Sequence, residues 1–291
     1  MKKKEFDIII IGAGLSGLTL AKEISEKTDK NILLIKKKKK LLYDKNWCFW
    51  NTPINPFTKL CDTSWNNISI KIFESERLFS SKQIKYLHIK SSSFYNYMIN
   101  FLKKKKVTFL FNKEISEIIT LNDSNKIIVD KTEYVTQLLF DSRPISKNIK
   151  DTELYQHFGG YEVFFDKMIL DPKKITLMDF QSFNNGLNFM YILPFSGNRA
   201  LFESTYFSGK ILKESMYKKD VIEYINNNFP KVKYKMKLKE KGIIPMFYNK
   251  NLNKHNYFKI GTSGNWIRAS TGYCFQNSFI NAKFIADKIS K

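Results

Sequence analysis

Three glycines near the start of the chain and one glutamate past its middle are the residues whose type and setting point to chemistry. Gly12-Ala13-Gly14-Leu15-Ser16-Gly17 follows the apolar run Ile8 to Ile11 without a gap, and Leu18, Ala21 and Ile24 come after it at three-residue intervals. This order predicts a buried strand, a tight turn and a helix. The first glycine permits the turn, the second lets backbone approach a pyrophosphate, and the third lets helix lie on strand. The N-terminus of the helix offers free N–H groups and partial positive charge to an anion. Gly12, Ala13, Gly14, Ser16 and Gly17 are therefore the expected cofactor-binding loop, the alternative being a glycine turn with no ligand.

Glu203 lies in Arg199–Tyr206, a segment that alternates as a strand. Leu201, Glu203 and Thr205 fall on one face, with Ala200, Phe202 and Ser204 on the other. A carboxylate buried among aromatic strands has its pKa raised, and it can hold or exchange a proton near neutrality. The other reading is an edge-strand glutamate in water. Arg143, followed by Pro144, can pair with a phosphate or with Asp141, and Arg268 has the same choice between a bidentate anion contact and a surface ion pair. His88, His157 and His255 are not spaced as metal ligands, and no metal is expected.

These residues sit in a 291-residue chain that is 43% hydrophobic and 15% aromatic, which fits a globular protein of one or two domains. Cys48, Cys61 and Cys274 make neither a disulfide framework nor a zinc pattern, so a reducing compartment is expected. Met1-Lys2-Lys3-Lys4 precedes an apolar stretch that breaks at Gly12, which argues against export. No run of 18 apolar residues occurs, so no spanning helix is expected.

The net charge of +22 raises the possibility of a nucleic-acid partner. Among the 49 basic residues, however, only Arg77, Arg143, Arg199 and Arg268 carry the guanidinium fork that base and phosphate recognition favours. No nucleic acid is expected. The runs Lys36 to Lys40 and Lys103 to Lys106 read as solvated loop ends or as contacts to an anionic lipid surface.

Along the chain, Asn31 to Ile35 reads as a second buried strand, ending in Lys36 where a dinucleotide fold usually places a ribose-binding acid. A loop with Trp47-Cys48-Phe49-Trp50 comes next, then an alternating strand over Ile68 to Phe73. Phe94, Met98 and Phe101 mark a helix leading to the strand Val107 to Phe111, and shorter strands follow at Lys126 to Val129 and Gln137 to Phe140. Aromatic strands at Tyr161 to Phe165, Phe189 to Leu193 and Arg199 to Tyr206 flank a helix with Tyr217, Val221, Tyr224 and Ile225 on one face. Tyr257 to Ile260 reads as a last strand, and Phe275, Phe279, Ala282, Ala286 and Ile289 mark a closing helix. The expected fold is α/β: a Rossmann-like domain from residues 1–65, 94–145 and 255–291, with a mixed or antiparallel β-sheet substrate domain from 66–93 and 146–254.

Taken together, Trp47-Cys-Phe-Trp50, Phe140-Asp-Ser-Arg143, Gln156-His-Phe-Gly-Gly-Tyr-Glu162, Leu177-Met-Asp-Phe180, Phe189 to Ser196, Ala200-Leu-Phe-Glu-Ser-Thr205, Gly242-Ile-Ile-Pro-Met246 and Ile260 to Tyr273 resemble, in order, the lycopene cyclase family of flavoproteins. The resemblance implies an FAD-binding fold of the glutathione-reductase type and redox-neutral cyclisation of the ends of lycopene to β-ionone rings. Reduced FAD, kept reduced by NAD(P)H, would stabilise a carbocation. It further implies that Glu203 is the first of two neighbouring acids, the second being Ser204 here. Gly261-Thr-Ser-Gly264 would meet the flavin ribityl and pyrophosphate, with Thr271-Gly272-Tyr273 by the isoalloxazine edge, although a plain strand-to-helix turn would have the same glycines. Trp47, Trp50 and Thr205 would line a polyene channel, the tryptophans alternatively being core aromatics. The family's helical stretch beyond Tyr273 is expected to be missing, since the chain ends at Lys291. A cytoplasmic protein held peripherally at the inner membrane is expected. A flavin-dependent monooxygenase or prenyl reductase shares the framework, and a flavin- or carotenoid-binding protein without turnover is a further alternative.

Overall fold

The computed structural model describes residues 2–37, 45–52, 55–144, 153–182, 186–250, 252 and 256–291. Lys38 to Lys40 and His255, both named above, lie outside them. The chain divides into two compact units. One comprises Met1–Tyr43, Ser91–Lys147 and Tyr248–Lys291, and the other Asp44–Lys90 and Asn148–Phe247. The helices are α1 (Leu15–Lys27), α2 (Ser91–Leu102), α3 (Glu214–Asn228) and α4 (Phe275–Ile289).

In the first unit an all-parallel sheet runs Phe258–Lys259, Leu138–Asp141, Ile8–Ile11, Ile32–Lys36, Val107–Phe111. Parallel strands covered on both faces read as continuous apolar runs, and the four isoleucines at 8–11 are buried without exception. Ile9, Ile11, Leu33, Ile35 and Leu139 pack against Ile127, Val129 and Tyr134 of a second, four-stranded sheet. That sheet is ordered Lys2–Glu5, Thr132–Thr136, Asn125–Val129, Ile115–Thr120. Helix α1 buries Leu18, Leu20, Ala21 and Ile24 and lies alongside α4.

The second unit is built on a seven-stranded sheet ordered Tyr234–Pro245, Tyr155–Phe165, Arg199–Ser208, Leu187–Ser196, Lys174–Ser182, Asn67–Ile72, Ser75–Ser80. Its neighbours are antiparallel except for the parallel pair formed by Lys174–Ser182 and Asn67–Ile72. One face packs Tyr161, Val163, Phe165, Met190, Ile192, Ala200 and Phe202 against Tyr217, Val221, Tyr224 and Ile225 of α3. Close approach of that helix requires Gly159, where an added Cβ would lie 2.8 Å from Tyr217 Cβ. Below it, Tyr217 Oη and Ser208 Oγ hold the two ring nitrogens of His157 at 2.7 and 2.8 Å, making it a satisfied structural histidine.

The opposite face is met by a three-stranded antiparallel sheet, Asn46–Trp50, Tyr86–Lys90, Thr63–Trp65. Trp65 Nε1 donates to the Pro194 carbonyl at 3.0 Å, and Tyr191 Oη reaches Tyr86 Oη at 3.2 Å.

The loop expected at Trp47 to Trp50 is thus a strand. Aromatic residues favour a pleated, half-buried surface, but the partner strand is some forty residues away, beyond any local signal. Because it pairs with Tyr86–Lys90, the stretch 44–65 belongs to the second unit and not to the nucleotide unit. Ser91, in turn, opens α2 of the first. Among the described residues, no helix is long and apolar enough to cross a membrane.

Candidate functional site

Strand Ile8–Ile11 delivers Gly12 at φ +98°, a conformation that side chains other than glycine's rarely adopt. A Cβ there would also lie 2.1 Å from Ser142 Oγ, which donates to the Ile11 carbonyl at 2.8 Å. Gly17 is as constrained, since its Cβ would be 1.9 Å from the Gly12 carbonyl oxygen. At Gly14, by contrast, nothing lies within 4 Å of an added Cβ. The middle glycine therefore faces open space at the N-terminus of α1, and the first-turn N–H groups have neither an intrahelical acceptor nor a side-chain cap. Ala13 is buried beside them. This cradle suits a pyrophosphate, and it lies at the carboxyl ends of parallel strands, where such folds bind nucleotides.

The turn Gly261–Gly264 comes to the same place. Ser16 Oγ and Ser278 Oγ are 3.0 Å apart, and a Cβ on Gly261 (φ +66°) would lie 3.0 Å from Ser16 Oγ. At Gly264 a Cβ would come within 2.3 Å of the Lys259 carbonyl. Thr271 and Gly272 donate backbone N–H to the Arg268 carbonyl at 3.1 and 2.9 Å, and Arg268 donates to the Tyr273 carbonyl at 2.8 Å, closing a loop just before α4. The Arg268 side chain is exposed.

Arg143 lies against Asp141, one of the two partners open to it. Arg143 gives it a backbone N–H and three side-chain bonds of 2.8–3.1 Å, while Lys259 adds another at 2.7 Å. Burial raises the affinity of Asp141 for a proton, but those bonds outweigh it and the carboxyl ends below its ordinary range. Lys36, at the position of the ribose acid, holds its ammonium 5.3 Å from the centre of the Tyr95 ring.

Glu203 stands on an interior strand of the seven-stranded sheet, buried, with Thr205 Oγ1 donating to it at 2.9 Å. Thr205 is wholly enclosed. Ser204 projects to the other face, where it donates to Asp220 of α3 at 2.6 Å, so a second acid at 204 would not have met Glu203.

Another acid does. Gly160 is the register partner of Glu203 on one side and of Glu240 on the other. Cross-strand partners share a face, so both carboxyl groups rise over a residue with no side chain. A Cβ on Gly160 would be 3.1 Å from Glu240 Cγ and 3.3 Å from Glu203 Oε2. Tyr191 is the next register partner, opposite Glu203.

From the three-stranded sheet, Asn46 gives Glu240 its backbone N–H at 3.0 Å and its side-chain amide at 2.5 Å. The Asn46 carbonyl oxygen accepts from His88 Nε2 at 2.8 Å. Since Asn46 donates to a carboxylate, its oxygen must face His88, which fixes the Nε2–H tautomer. His88 is buried, and burial lowers its pKa to about 4, so the ring is neutral. Burial and then the charge of Glu240 raise the pKa of Glu203 to about 8, and burial raises that of Glu240 as well. Cys48, on the Asn46–Trp50 strand above, is pushed up by burial and stays a thiol.

Alternation along that strand puts Trp50 on the face of Asn46 and Cys48, and Trp47 on the reverse. The two tryptophans expected to line one channel are thus on opposite faces. Trp50 stacks obliquely on Tyr86, ring centres 4.8 Å apart. Glu240, Asn46, His88 and Gly160 were not singled out from sequence as site residues. Glu240 stands only two residues before the Gly242–Met246 segment, but the register that sets it beside Glu203 is not written locally.

A glycine-rich βα turn on a parallel sheet, with a large mixed sheet inserted, is the architecture of FAD-binding oxidoreductases and halogenases. A geranylgeranyl bacteriochlorophyll reductase-like protein from Thermoplasma acidophilum superimposes with a TM-score of 0.77 at 13% identity, over 99% of this chain and 78% of that one. The structure of CtdE in complex with FAD gives 0.67 at 13% identity, over 99% and 85%. Sharing that fold, the chain belongs to the lycopene cyclase protein family, whose sequence profile matches residues 7–291. It is 22% identical over 308 residues to a chloroplastic lycopene beta cyclase of Arabidopsis thaliana, and 25% identical over 317 residues to a chloroplastic neoxanthin synthase of Solanum lycopersicum. Each match takes in 99% of this chain and 61% of the relative, so the chain spans about three-fifths of their length.

Proposed function

We propose that this protein is a redox-neutral end-group cyclase that closes β-ionone-type rings on lycopene. The observation that carries the reading is the buried carboxyl of Glu203 facing that of Glu240 over Gly160, where burial and the neighbouring charge push its pKa up to about 8 and keep it protonated at neutral pH. Its proton forms a new C–H bond at the terminal double bond of the polyene. The cation left behind takes the π pair of the next double bond as the ring closes. Loss of a neighbouring proton returns an electron pair to a ring double bond, so the product is an isomer of the substrate. Holding the chain end folded makes closure a well-oriented unimolecular event, which removes several kcal/mol of barrier.

The loops Gly12–Gly17, Gly261–Gly264 and Arg268–Tyr273 would hold FAD. Held there in reduced form, FAD would supply negative charge for a developing cation without net electron transfer, with NAD(P)H as the reductant that would keep it reduced. A polyene substrate resides in lipid, and the lysine-rich surface suits a peripheral position on the cytoplasmic side of an anionic inner membrane.

Expression in cells that accumulate lycopene, with pigments separated by chromatography, tests the reading. Cyclic carotene should form, and Glu203→Gln should lower it by about 10²- to 10⁴-fold. Equal product from the variant would remove Glu203 from the mechanism. Oxygen or NADPH consumed in proportion to product would favour an oxidoreductase instead.

A further inference from the structure

We propose that Glu240 is a positioning residue that acts through Glu203, the two carboxyl groups forming a unit over Gly160 that carries a single proton, with Glu203 the protonated member. The assignment of the proton follows from the bonds each acid accepts. Glu240 receives two donors from Asn46, backbone and side chain, while Glu203 receives one hydroxyl from Thr205. Donors favour the ionised form, so the charge rests on Glu240 and the proton on Glu203.

The orientation of Asn46 is itself fixed. Its NH₂ donates to the Glu240 carboxyl, which turns its oxygen to His88 Nε2, so the amide is held at both ends. His88 Nδ1 is buried with no hydrogen-bond partner among the described residues. An enclosed imidazole with one bare nitrogen is retained at an energetic cost, consistent with a part set for orientation and not for maximal stability.

The other groups facing the pair are few. Lys45 donates to the Lys241 carbonyl at 2.6 Å and lends positive potential to both acids. Lys239 acts on Glu240 in the same sense while lying 4.0 Å from Glu162. The Cys48 thiol beside the pair, its pKa raised by burial, stays neutral. At Glu203 burial and the charge of Glu240 outweigh the opposing effect of Lys45.

The consequence for turnover rests on the cyclase reading. When Glu203 gives its proton to the polyene, its O–H bond breaks and two carboxylates face one another in a dry site. That repulsion makes Glu203 a strong base, and it recaptures the proton released as the ring double bond forms. One O–H bond breaks and one is remade, no electrons are gained or lost, and the unit returns to its starting charge.

Infrared difference spectroscopy of the purified full chain, titrated between about pH 5 and pH 10, tests the pairing without any substrate. One buried protonated carboxyl band should be present, vanish in Glu203→Gln, and titrate near pH 8. In Glu240→Gln its midpoint should fall by about one unit or more, whereas Glu240→Asp, which keeps the charge, should hold it within about half a unit. A side chain needed only for packing would give the reverse order. Should Glu240→Gln fail to fold, Gly160→Ala drives a methyl between the carboxyls and should lower the midpoint likewise. An unmoved midpoint in whichever of these variants folds, or a band that survives Glu203→Gln, overturns the proposal. In the cyclisation assay the alkaline limb of the pH profile should move with the spectroscopic midpoint. A coupled titration in protein that leaves lycopene unchanged would retain the pair and refute the cyclase reading, while cyclisation with an uncoupled Glu203 would do the opposite.

Discussion

Glu203 illustrates how the surroundings of a side chain decide its chemistry. Alternation in Arg199–Tyr206 was enough to place it with Leu201 and Thr205, and to send Ser204 the other way to Asp220. Glu240 was not legible in the same manner. It stands in the run Lys237 to Lys241, where the hydrophobic pattern is overwritten by lysines, and its partner is 37 positions earlier across an intervening strand. One consequence can be measured in stability. Glu203 is raised from 4.5 to about 8, so between those values the folded chain binds more protons than the unfolded one. The stabilisation is complete below pH 4.5 and is lost as the pH rises through 8. Urea midpoints of the parent should therefore fall on going from about pH 5 to pH 9, and Glu203→Gln should flatten that slope.

Elements were legible where one period ran uninterrupted. The strand–turn–helix at the N-terminus, α2, α3 and α4 and the aromatic strands all announce themselves by spacing. Asn46–Trp50, Thr63–Trp65 and Tyr86–Lys90 do not, because short strands of a small sheet are defined by each other and not by their own pattern. Helix α3 is held by packing along one stripe. Ile225→Ala, in its core, should cost about 2–5 kcal/mol by denaturant titration, whereas Ile280→Ala on the 51%-exposed face of α4 should stay within about 0.5 kcal/mol. At the start of α1, Gly17→Ala sets a methyl against the Gly12 carbonyl. A loss of about 1–3 kcal/mol is expected, together with loss of the yellow colour of bound flavin after gel filtration.

For the molecule as a whole, composition spoke about surroundings more than about mechanism. A charge of +22, carried almost entirely by lysine, gives a field without the planar geometry that reads a base or grips a phosphate. If that field serves attachment to anionic lipid, co-sedimentation with phosphatidylglycerol vesicles should be strong at about 0.05 M salt and largely lost by about 1 M, where screening shortens to about 3 Å. Binding that ignores salt would point to apolar insertion instead. The fold, in turn, treats two adjacent codons very differently. Adding one carbon at 159 collides with the helix that closes the core, while adding it at 160 only crowds the side chains of Glu240, Glu203 and Leu201, at 3.1–3.3 Å. A random library sorted for soluble product should therefore be purged of changes at the first position and keep those at the second as well-made, inert protein.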